Sequence, residues 1–284
     1  MNNPVHKVSV IYLSYIPYGI ENLSDFIGSY KMYNSGYPHS LIILFKGMSD
    51  QEQVKPFMDL LEGNGLTFSP LYYKGDGFDI NAYYWTAEQV ESEYLFFLNS
   101  SSLLLAENWL DHYISNFSGQ TGIISATASA QSYYSAVYQK NKWQWESSKG
   151  FLYNFRKYKL FVKAFLYWRF LFNPFPNYHL RTNGFMVRRR DLIAFVTGPV
   201  NTKFRSYRFE SGRKSITAYF LKKGLKALVV DRYGKPYEKE KWAESSTYWI
   251  GEQNNLLVSD NQTRIYQAAD SEKRKLMTKL AWGV

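Results

Sequence analysis

A run of polar residues follows a short apolar segment in the first half of the chain. Tyr94–Leu98 contains four consecutive large apolar residues, and Asn99 and the serines Ser100–Ser102 come directly after it. The apolar run predicts a strand buried on both faces, and the change to polar residues marks where that strand leaves the core. Ligands of open α/β sheets bind at such carboxyl ends. The pattern therefore predicts a ligand site here, although the same residues also suit a cap for a helix near Trp109.

Strand and helix patterns alternate around this segment. Strands are expected at 7–15, 40–45, 66–73 and 94–98, each followed by a helix with apolar residues on one face. This alternation predicts an α/β fold with a mostly parallel, right-handed wound sheet flanked by helices.

Later segments are expected to extend the same sheet. Residues 183–188 and 226–231 have the pattern of two more strands, and 201–207 that of an exposed polar loop. Glu210 is expected at the start of the helix that ends at Lys223.

The composition changes over residues 132–178, which are crowded with aromatic and basic side chains. No linker-like composition precedes them, so we interpret them as a helical insertion within one domain, 1–232. A C-terminal extension, 233–284, is expected to pack on the same domain. Within the insertion, Gly150–Phe172 carries aromatic residues nearly all round and five bases. Such a helix suits an anionic bilayer surface, a lid over the sheet or a homo-oligomer contact.

The overall composition supports a folded protein with an anionic partner. The 284 residues are 45% apolar and carry a formal net charge of +10, with 25 Tyr, 20 Phe and 8 Trp. The absence of cysteine excludes disulfides, thiolate metal sites and cysteine nucleophiles. No apolar run is long enough to cross a membrane, and no signal peptide is apparent, so a cytoplasmic location is expected, at the inner face of the membrane if the insertion binds lipid.

The order of these elements resembles the GT-A glycosyltransferases, especially the large inverting family 2. The strand end Ser14-Tyr15 is similar to the family's nucleotide-binding start. The other motifs are Asp79-Ile80-Asn81-Ala82, Phe97-Leu98-Asn99-Ser100-Ser101-Ser102, Asn183-Gly184-Phe185-Met186-Val187-Arg188-Arg189 and Phe209-Glu210. Each motif is short, and their order over residues 7–230 carries the resemblance. It implies a GT-A-like (Rossmann-like) fold and a hexosyltransferase-like enzyme that uses a nucleotide-diphosphate sugar.

The chain departs from the family at the metal-binding motif. The two acidic positions of that motif fall on Asn99 and Ser101, a degenerate form of the acidic signature. The family implies a divalent cation, Mn²⁺ or Mg²⁺, but an amide and a hydroxyl are poor ligands for hard cations. We therefore assign no metal ligand, and a cation held by other carboxylates is the alternative. Charge on the leaving diphosphate is expected to be neutralised by a helix N-terminus or by cationic side chains, of which the candidates are Lys46, Arg181, Arg188 and Arg213.

The resemblance makes Glu210 the candidate base. An inverting transferase needs one carboxylate to remove the proton from the acceptor hydroxyl. The alternative is that Glu210 only complements a helix N-terminus. Asp231, at a predicted strand end, is the second candidate base.

Donor and acceptor residues are also implied by the resemblance. The expected donor-binding residues are Ser14, Tyr15, Lys46, Asp76, Asp79, Asn99, Ser100, Ser101 and Arg188. Tyr15 can stack on a base or pack in the core, and Asp76 and Asp79 can accept from ribose or serve as turn and cap residues. The expected acceptor-binding residues are Asn183, Gly184, Trp242 and Trp249, although the two tryptophans also suit an anchor for the tail.

These inferences predict a glycosyltransferase of polysaccharide biosynthesis. It would move a sugar from a nucleotide-diphosphate donor, with a UDP-sugar favoured, to a glycan or lipid-linked glycan, with Glu210 as base and inversion at the anomeric carbon. The alternative is a noncatalytic, basic, aromatic-rich module that binds nucleic acid or an anionic membrane surface. The alternative explains the charge but leaves the ordered strand–helix alternation unexplained.

Overall fold

The structure, a computed structural model, describes residues 6–135, 147–195, 198 and 200–284. Within these ranges the strands are β1 Val8–Tyr15, β2 Ser40–Lys46, β3 Ser69–Tyr73, β4 Tyr94–Leu98, β5 Leu103–Leu104, β6 Thr121–Ser125, β7 Ala128–Ser129, β8 His179–Leu180, β9 Phe185–Arg188, β10 Lys226–Val230, β11 Pro236–Tyr237 and β12 Val258–Ser259. The α-helices with described bounds are α1 Glu21–Met32, α2 Lys55–Gly63, α3 Asp79–Gln89, α4 Asp111–Ile114, α5 Phe151–Lys163, α6 Arg169–Leu171, α7 Arg189–Ala194, α8 Lys203–Ser211, α9 Ile216–Lys222, α10 Asn261–Gln267 and α11 Ser271–Trp282. A π-helix, Ala164–Trp168, joins α5 to α6.

Eight strands form one sheet in the order β11-β10-β6-β9-β4-β1-β2-β3. The pairs β1–β2, β1–β4, β2–β3 and β6–β10 are parallel. Strand β9 runs antiparallel between β4 and β6, and β11 runs antiparallel to β10. Helices α1, α2 and α4 pack on one face of the sheet, and α3, α7, α8 and α9 pack on the other. The predicted α/β fold with a mostly parallel sheet flanked by helices is confirmed.

Strand β4 lies near the centre of the sheet and is buried on both faces. Phe96 and Leu98 pack in the core on one side, and Leu95 and Phe97 pack in the core on the other. Each of these side chains removes apolar area from water, which contributes about 1.5–3 kcal/mol per residue. The observed strand bounds equal the predicted ones, because only a continuous apolar run can satisfy two cores at once.

Strand β9 brings a second chain segment to the carboxyl edge of the sheet. Phe185, its first residue, pairs with Phe97 on one side and with Ser125 on the other. The preceding residues therefore lie beside the ends of β4 and β6, where the Ala126 N–H donates to the Gly184 carbonyl at 2.9 Å. Gly184 has φ +59°, and a Cβ there would come within 3.0 Å of Val258, so this crossing requires glycine.

The predicted loop at 201–207 is wrong, because helix α8 occupies most of it. Thr202 caps the helix by accepting from the Arg205 N–H at 3.2 Å, and the helix continues to Ser211. Although its sequence is mostly polar, one face of the helix packs inward, where Phe204 and Tyr207 lie beside Trp168 and Phe172. Glu210 consequently lies at the end of helix α8 rather than at a helix start, so it does not complement the N-terminus of that helix.

The insertion is described only in part, because residues 136–146 lie outside the described ranges. Its second half forms one continuous helical segment through α5, the π-helix and α6. None of the helices in the described part of the chain combines the length and the apolar character that crossing a bilayer requires.

The C-terminal residues pack across the carboxyl edge of the sheet. Strand β12 pairs with β5, next to the loop that follows β4. Helix α11 has Asp270 as its N-cap. Its last residue, Trp282, donates to the Tyr248 carbonyl at 2.7 Å.

Candidate active site

The loop after β4 is held by two amide side chains. Asn183 Oδ1 accepts from the Asn99 N–H at 2.9 Å and from the Ser102 hydroxyl at 2.7 Å. Asn99 Oδ1 accepts from the Ser101 N–H at 2.9 Å. These contacts tie the carboxyl end of β4 to the segment before β9 and give the loop one fixed conformation. Asn99, predicted to bind the donor, and Asn183, predicted to bind the acceptor, are therefore brought together.

The residues of this loop do not fit a divalent cation. Asn99 and Ser101 occupy the positions at which the resemblance expects carboxylates, and neither carries a negative charge. The Asn99 side-chain oxygen already accepts a hydrogen bond inside the loop. Hard cations require several oxygen ligands, usually with carboxylates among them. Among the described residues no group of three or more Asp, Glu or His side chains is arranged to hold a metal ion.

Ser100 joins two strands instead of facing a ligand. Its buried hydroxyl donates to the Leu13 carbonyl at 2.8 Å and accepts from the Tyr15 N–H at 3.1 Å. Ser14 is buried as well. The predicted donor contacts of these two serine side chains therefore have no support in their placement, although both residues shape the strand ends.

Arg264, on α10, brings positive charge to the loop after β4. Its Nη1 donates to the Ser101 carbonyl at 2.9 Å and lies 3.4 Å from the Ser259 hydroxyl. Within the described residues no hydrogen-bond acceptor meets its Nε or Nη2. No carboxylate of the described chain forms an ion pair with it either. A half-buried guanidinium with unused donors is suited to a phosphate.

Asp260 sets the position of α10. Its Oδ1 caps the helix by accepting from the Thr263 N–H at 2.9 Å, and its Oδ2 pairs with Arg181 Nη1 at 2.9 Å. Burial lowers the pKa of Arg181 but the carboxylate of Asp260 raises it, with a net rise. Arg181 also lies 4.4 Å over the Tyr248 ring. The charge of Arg181 is thus matched inside the protein, whereas Arg264, one turn into the helix, faces the loop.

Glu210 is held by the residue before Asn183. The Thr182 N–H donates to Glu210 Oε2 at 2.9 Å, and the Thr182 hydroxyl donates to the same oxygen over a short distance. Within the described residues, both hydrogen bonds reach Oε2 and no partner meets Oε1. The carboxylate is fixed in orientation and keeps one oxygen for a further contact.

A buried histidine lies near this carboxylate. His179 Nδ1 is 2.8 Å from the Asn177 carbonyl, and because a carbonyl only accepts, Nδ1 carries the proton. Burial lowers the pKa of His179, and the nearby Glu210 opposes that effect only in part. The imidazole is therefore neutral at pH 7 and does not supply a positive charge to the site.

The ends of β1 and β2 carry a second polar group. Lys46 Nζ lies 4.9 Å over the ring of Tyr15, and Asp79 is its electrostatic neighbour. Burial lowers the pKa of Lys46 and raises that of Asp79, while each charge partly offsets the effect on the other. Asp76 lies in the exposed loop just before α3. Four predicted donor residues thus lie at one end of the sheet.

Comparisons with known proteins gave matches among solved structures alone. No family model matches the chain, and no curated protein sequence matches it. The mannosyltransferase PcManGT from Pyrobaculum calidifontis, in complex with GDP-Man and Mn²⁺, is 13% identical at a TM-score of 0.36, covering 42% of this chain and 34% of that one. TarS 1–349 of S. aureus is 11% identical at a TM-score of 0.34, covering 55% and 56%. The chain thus spans about a third of the mannosyltransferase and about half of TarS 1–349.

A solved synthase structure also matches over a larger share of the chain. The 4-diphosphocytidyl-2C-methyl-D-erythritol synthase from Anaerococcus prevotii is 14% identical at a TM-score of 0.40, covering 78% of this chain and 86% of that one. All three TM-scores are 0.40 or lower. The fold is therefore assigned from the strand order, and the site from its own contacts.

Arg188 lies away from the other predicted donor residues. It is the last residue of β9 and pairs with Tyr94, the first residue of β4, at the opposite edge of the sheet. Its guanidinium donates to the carbonyls of Thr121 and Ser118 at 2.7 and 2.6 Å. Because β9 runs antiparallel to β4, its start next to Asn183 lies at the carboxyl edge of β4, and its end at Arg188 lies at the opposite edge. Arg213 also points elsewhere, to the Arg169 carbonyl.

Three other predicted site residues are used in the core. Asp231 is 2% exposed and accepts from the Tyr233 and Lys235 N–H groups and from the Tyr237 hydroxyl, which closes the turn between β10 and β11. Trp242 is 0% exposed and Trp249 is 8% exposed, and the indole N–H of each donates to a backbone carbonyl. Neither indole presents a face for stacking on a sugar.

Four residues near the site were not predicted from the sequence: Thr182, His179, Asp260 and Arg264. Asp260 and Thr263 form a capping box in the structure, and that spacing was a detectable signal for α10. The position of that helix against the end of β4 depends on tertiary packing and has no local signal.

Proposed function

We propose that the protein is a glycosyltransferase that moves a sugar from a nucleotide-diphosphate donor to a hydroxyl of a glycan, with inversion and with Glu210 as base. The observation that carries this proposal is the carboxylate of Glu210, oriented by Thr182 beside the Asn99–Asn183 junction. An inverting transfer needs one base at the carboxyl edge of the sheet, next to the donor. Asp231 is not retained as an alternative base, because its oxygens already accept three hydrogen bonds.

The proposed step is a direct displacement. The acceptor hydroxyl oxygen attacks the anomeric carbon of the donor, and Glu210 Oε1 takes the hydroxyl proton. The bond between the anomeric carbon and the diphosphate oxygen breaks, and its electron pair leaves with the nucleoside diphosphate. Thr182 contributes by keeping Oε2 in place, so that Oε1 does not rotate away from the proton it receives.

Charge on the leaving diphosphate is neutralised, in this proposal, by cationic side chains. Among the described residues, Arg264 keeps donors without an acceptor beside Ser101, and Lys46 lies at the end of β2. Such fixed charges stabilise a leaving group without reorganisation of water. Arg264 thus takes the role that the resemblance gives to a metal, and we route no step through a metal ion.

Donor recognition is assigned to the polar group at the ends of β1 and β2, which comprises Tyr15, Lys46, Asp76 and Asp79. Tyr15 offers a ring for the nucleobase, and Asp76 and Asp79 offer acceptors for the base or the ribose hydroxyls. A uridine nucleotide is favoured in this assignment. The acceptor is proposed to approach along Asn183 and Gly184, as part of polysaccharide biosynthesis.

A donor panel tests the proposal. The protein is incubated with UDP-, GDP- and dTDP-sugars, and the release of nucleoside diphosphate is measured with and without chelator. Release of nucleoside diphosphate from one donor class supports glycosyl transfer. Formation of pyrophosphate from a nucleoside triphosphate and a sugar phosphate would instead indicate nucleotidyl transfer. If the protein neither turns over nor binds any nucleotide sugar, the glycosyltransferase proposal is refuted. The basic, aromatic-rich binding module then remains.

A further inference from the structure

The helical segment at 150–172, which we call the aromatic-basic segment, leaves most of its apolar side chains in water. Between Phe151 and Leu171, ten of the described large aliphatic or aromatic side chains are exposed. They are Phe151, Leu152, Tyr153, Phe155, Tyr158, Leu160, Phe165, Leu166, Tyr167 and Phe170. Leu152 is 70% exposed and Phe170 is 63% exposed. Few side chains of this helix face the core, with Asn154 and Trp168 buried. Exposed apolar surface on this scale marks an interaction site.

The charges of the segment are all of one sign. It contains the five bases Arg156, Lys157, Lys159, Lys163 and Arg169 and no acidic residue. Lys159 lies 4.8 Å over the Phe155 ring, and Arg169 lies 4.9 Å from Phe165 and 4.7 Å from Phe170. Cations and rings are therefore presented together, as they are on helices that lie at a membrane interface.

The positive surface continues onto the neighbouring chain segment. The Arg213 N–H donates to the Leu171 carbonyl at 2.8 Å, so residues 203–214 adjoin the end of the aromatic-basic segment. That stretch exposes five further bases, Lys203, Arg205, Arg208, Arg213 and Lys214. Its one acidic residue is Glu210, which is half-buried and bonded to Thr182.

Charge and side-chain type favour one occupant. A second copy of this chain would bring two positive surfaces together, which like-charge repulsion opposes. A nucleic acid would match the charge and stack on rings, but the exposed aliphatic residues Leu152, Leu160 and Leu166 give it nothing to bind. An anionic bilayer matches the basic, the aromatic and the aliphatic side chains of the segment. Its phosphates bind the bases, and the boundary of its acyl region accepts both rings and leucines.

We propose that the aromatic-basic segment lies in the plane of an anionic phospholipid bilayer and docks the protein there. At about 1.5 Å per residue the helix from Phe151 to Leu171 reaches about 30 Å along that surface. Helix α8 packs beneath it through Phe204 and Tyr207, and the same helix carries Glu210. Docking therefore presents the candidate base to acceptors anchored in the membrane. This last step rests on the proposed function and assigns the acceptor to the lipid-linked class, whereas the docking itself does not depend on it.

Vesicle sedimentation of the full chain tests the docking. Wild-type protein is expected to sediment with phosphatidylcholine–phosphatidylglycerol vesicles, more weakly with phosphatidylcholine alone, and less as salt rises. The triple variant R156Q/K159Q/K163Q should lose about 100-fold in affinity, since each base near an anionic surface contributes about fivefold. The matched control K31Q/K55Q/K222Q, three exposed lysines outside the segment, should keep wild-type affinity. Equal losses in both variants would contradict a localised docking surface.

A second pair of variants tests the apolar contribution. L152S/L166S should weaken vesicle binding by about tenfold or more, while M32S/L276S, two exposed apolar residues elsewhere, should not. Circular dichroism should show the same helix content for all variants. No binding to anionic vesicles, binding to RNA at equal strength, or a dimer that dissociates in L152S/L166S would each overturn the proposal.

Transfer to a soluble acceptor separates this proposal from the function it deepens. All four variants should keep wild-type donor turnover, because none of the substituted residues belongs to the proposed base, donor or acceptor residues. If the wild-type protein binds vesicles but neither it nor any variant turns over a donor, the docking proposal stands and the glycosyltransferase proposal is refuted. Turnover without vesicle binding would do the opposite.

Discussion

Thr182 donates two hydrogen bonds, from its backbone N–H and its hydroxyl, to the same carboxylate oxygen of Glu210. The two residues are 28 positions apart, and the contact joins the segment before β9 to the end of helix α8. Hydrogen bonds to an ionised group contribute about 1.5–3 kcal/mol each. They are therefore strong enough to decide which carboxylate oxygen faces the ligand site.

Replacement of Thr182 by valine should slow transfer without weakening donor binding. The change keeps the shape and the backbone N–H but removes the hydroxyl donor, so we expect kcat to fall by about 10- to 100-fold while the donor Kd stays the same. Steady-state kinetics and calorimetry check this. The conservative variant T182S should recover most of the rate. If T182V and T182S lose activity equally, Thr182 serves packing and not the carboxylate.

Replacement of Arg264 by methionine should weaken binding of the diphosphate and not of the nucleoside. We expect the Kd for UDP to rise by about 10- to 100-fold and that for uridine to stay unchanged, because only UDP presents phosphate oxygens to the guanidinium.

Chelator should have no effect on wild-type turnover, because the Asn99–Ser102 loop lacks carboxylates. Loss of turnover in EDTA with recovery on adding Mn²⁺ would contradict the assignment of Arg264.

His179 should make the protein less stable as the pH falls. Burial lowers the pKa of His179 in the folded state. Below the ordinary pKa of about 6.5, His179 is therefore protonated in the unfolded chain while it is still neutral in the folded chain. This contribution is present above pH 6.5 and is lost as the pH falls towards the folded-state pKa. Denaturant unfolding at pH 7.5 and pH 5.5 should show the loss, and H179Q should reduce it. His39, whose pKa burial also lowers, should account for part of the remainder.

The central features of the sheet are predictable from the sequence because they depend on local pattern. The run Leu95–Leu98 has only one stable location, between two apolar layers, and the strand bounds follow from it. The direction of β9 is different. An apolar strand pattern is the same in parallel and antiparallel neighbours, so the motif from Asn183 to Arg188 gave no sign of which of its two ends lies at the carboxyl edge of β4.

The site was predictable only where a strand end marks it. Asn99 follows from that rule and Asn183 from the family resemblance, whereas Arg264 comes from a helix more than 160 residues away from its partner Ser101. Burial also reversed several assignments. Trp242 and Asp231 have the residue types of a sugar groove and of a base, yet both complete the core around β11. Side-chain type does not indicate which contacts tertiary packing has already used.

Glu210→Gln tests the central claim most directly. The substitution keeps the size and most of the hydrogen-bonding capacity of the side chain but removes its ability to take a proton. Nucleoside diphosphate release and donor affinity are measured on the same preparation, with a soluble acceptor and the donor that the panel identifies. We predict a fall in transfer rate of about 100-fold or more with an unchanged donor Kd. Wild-type turnover in E210Q would contradict the account and place the base elsewhere.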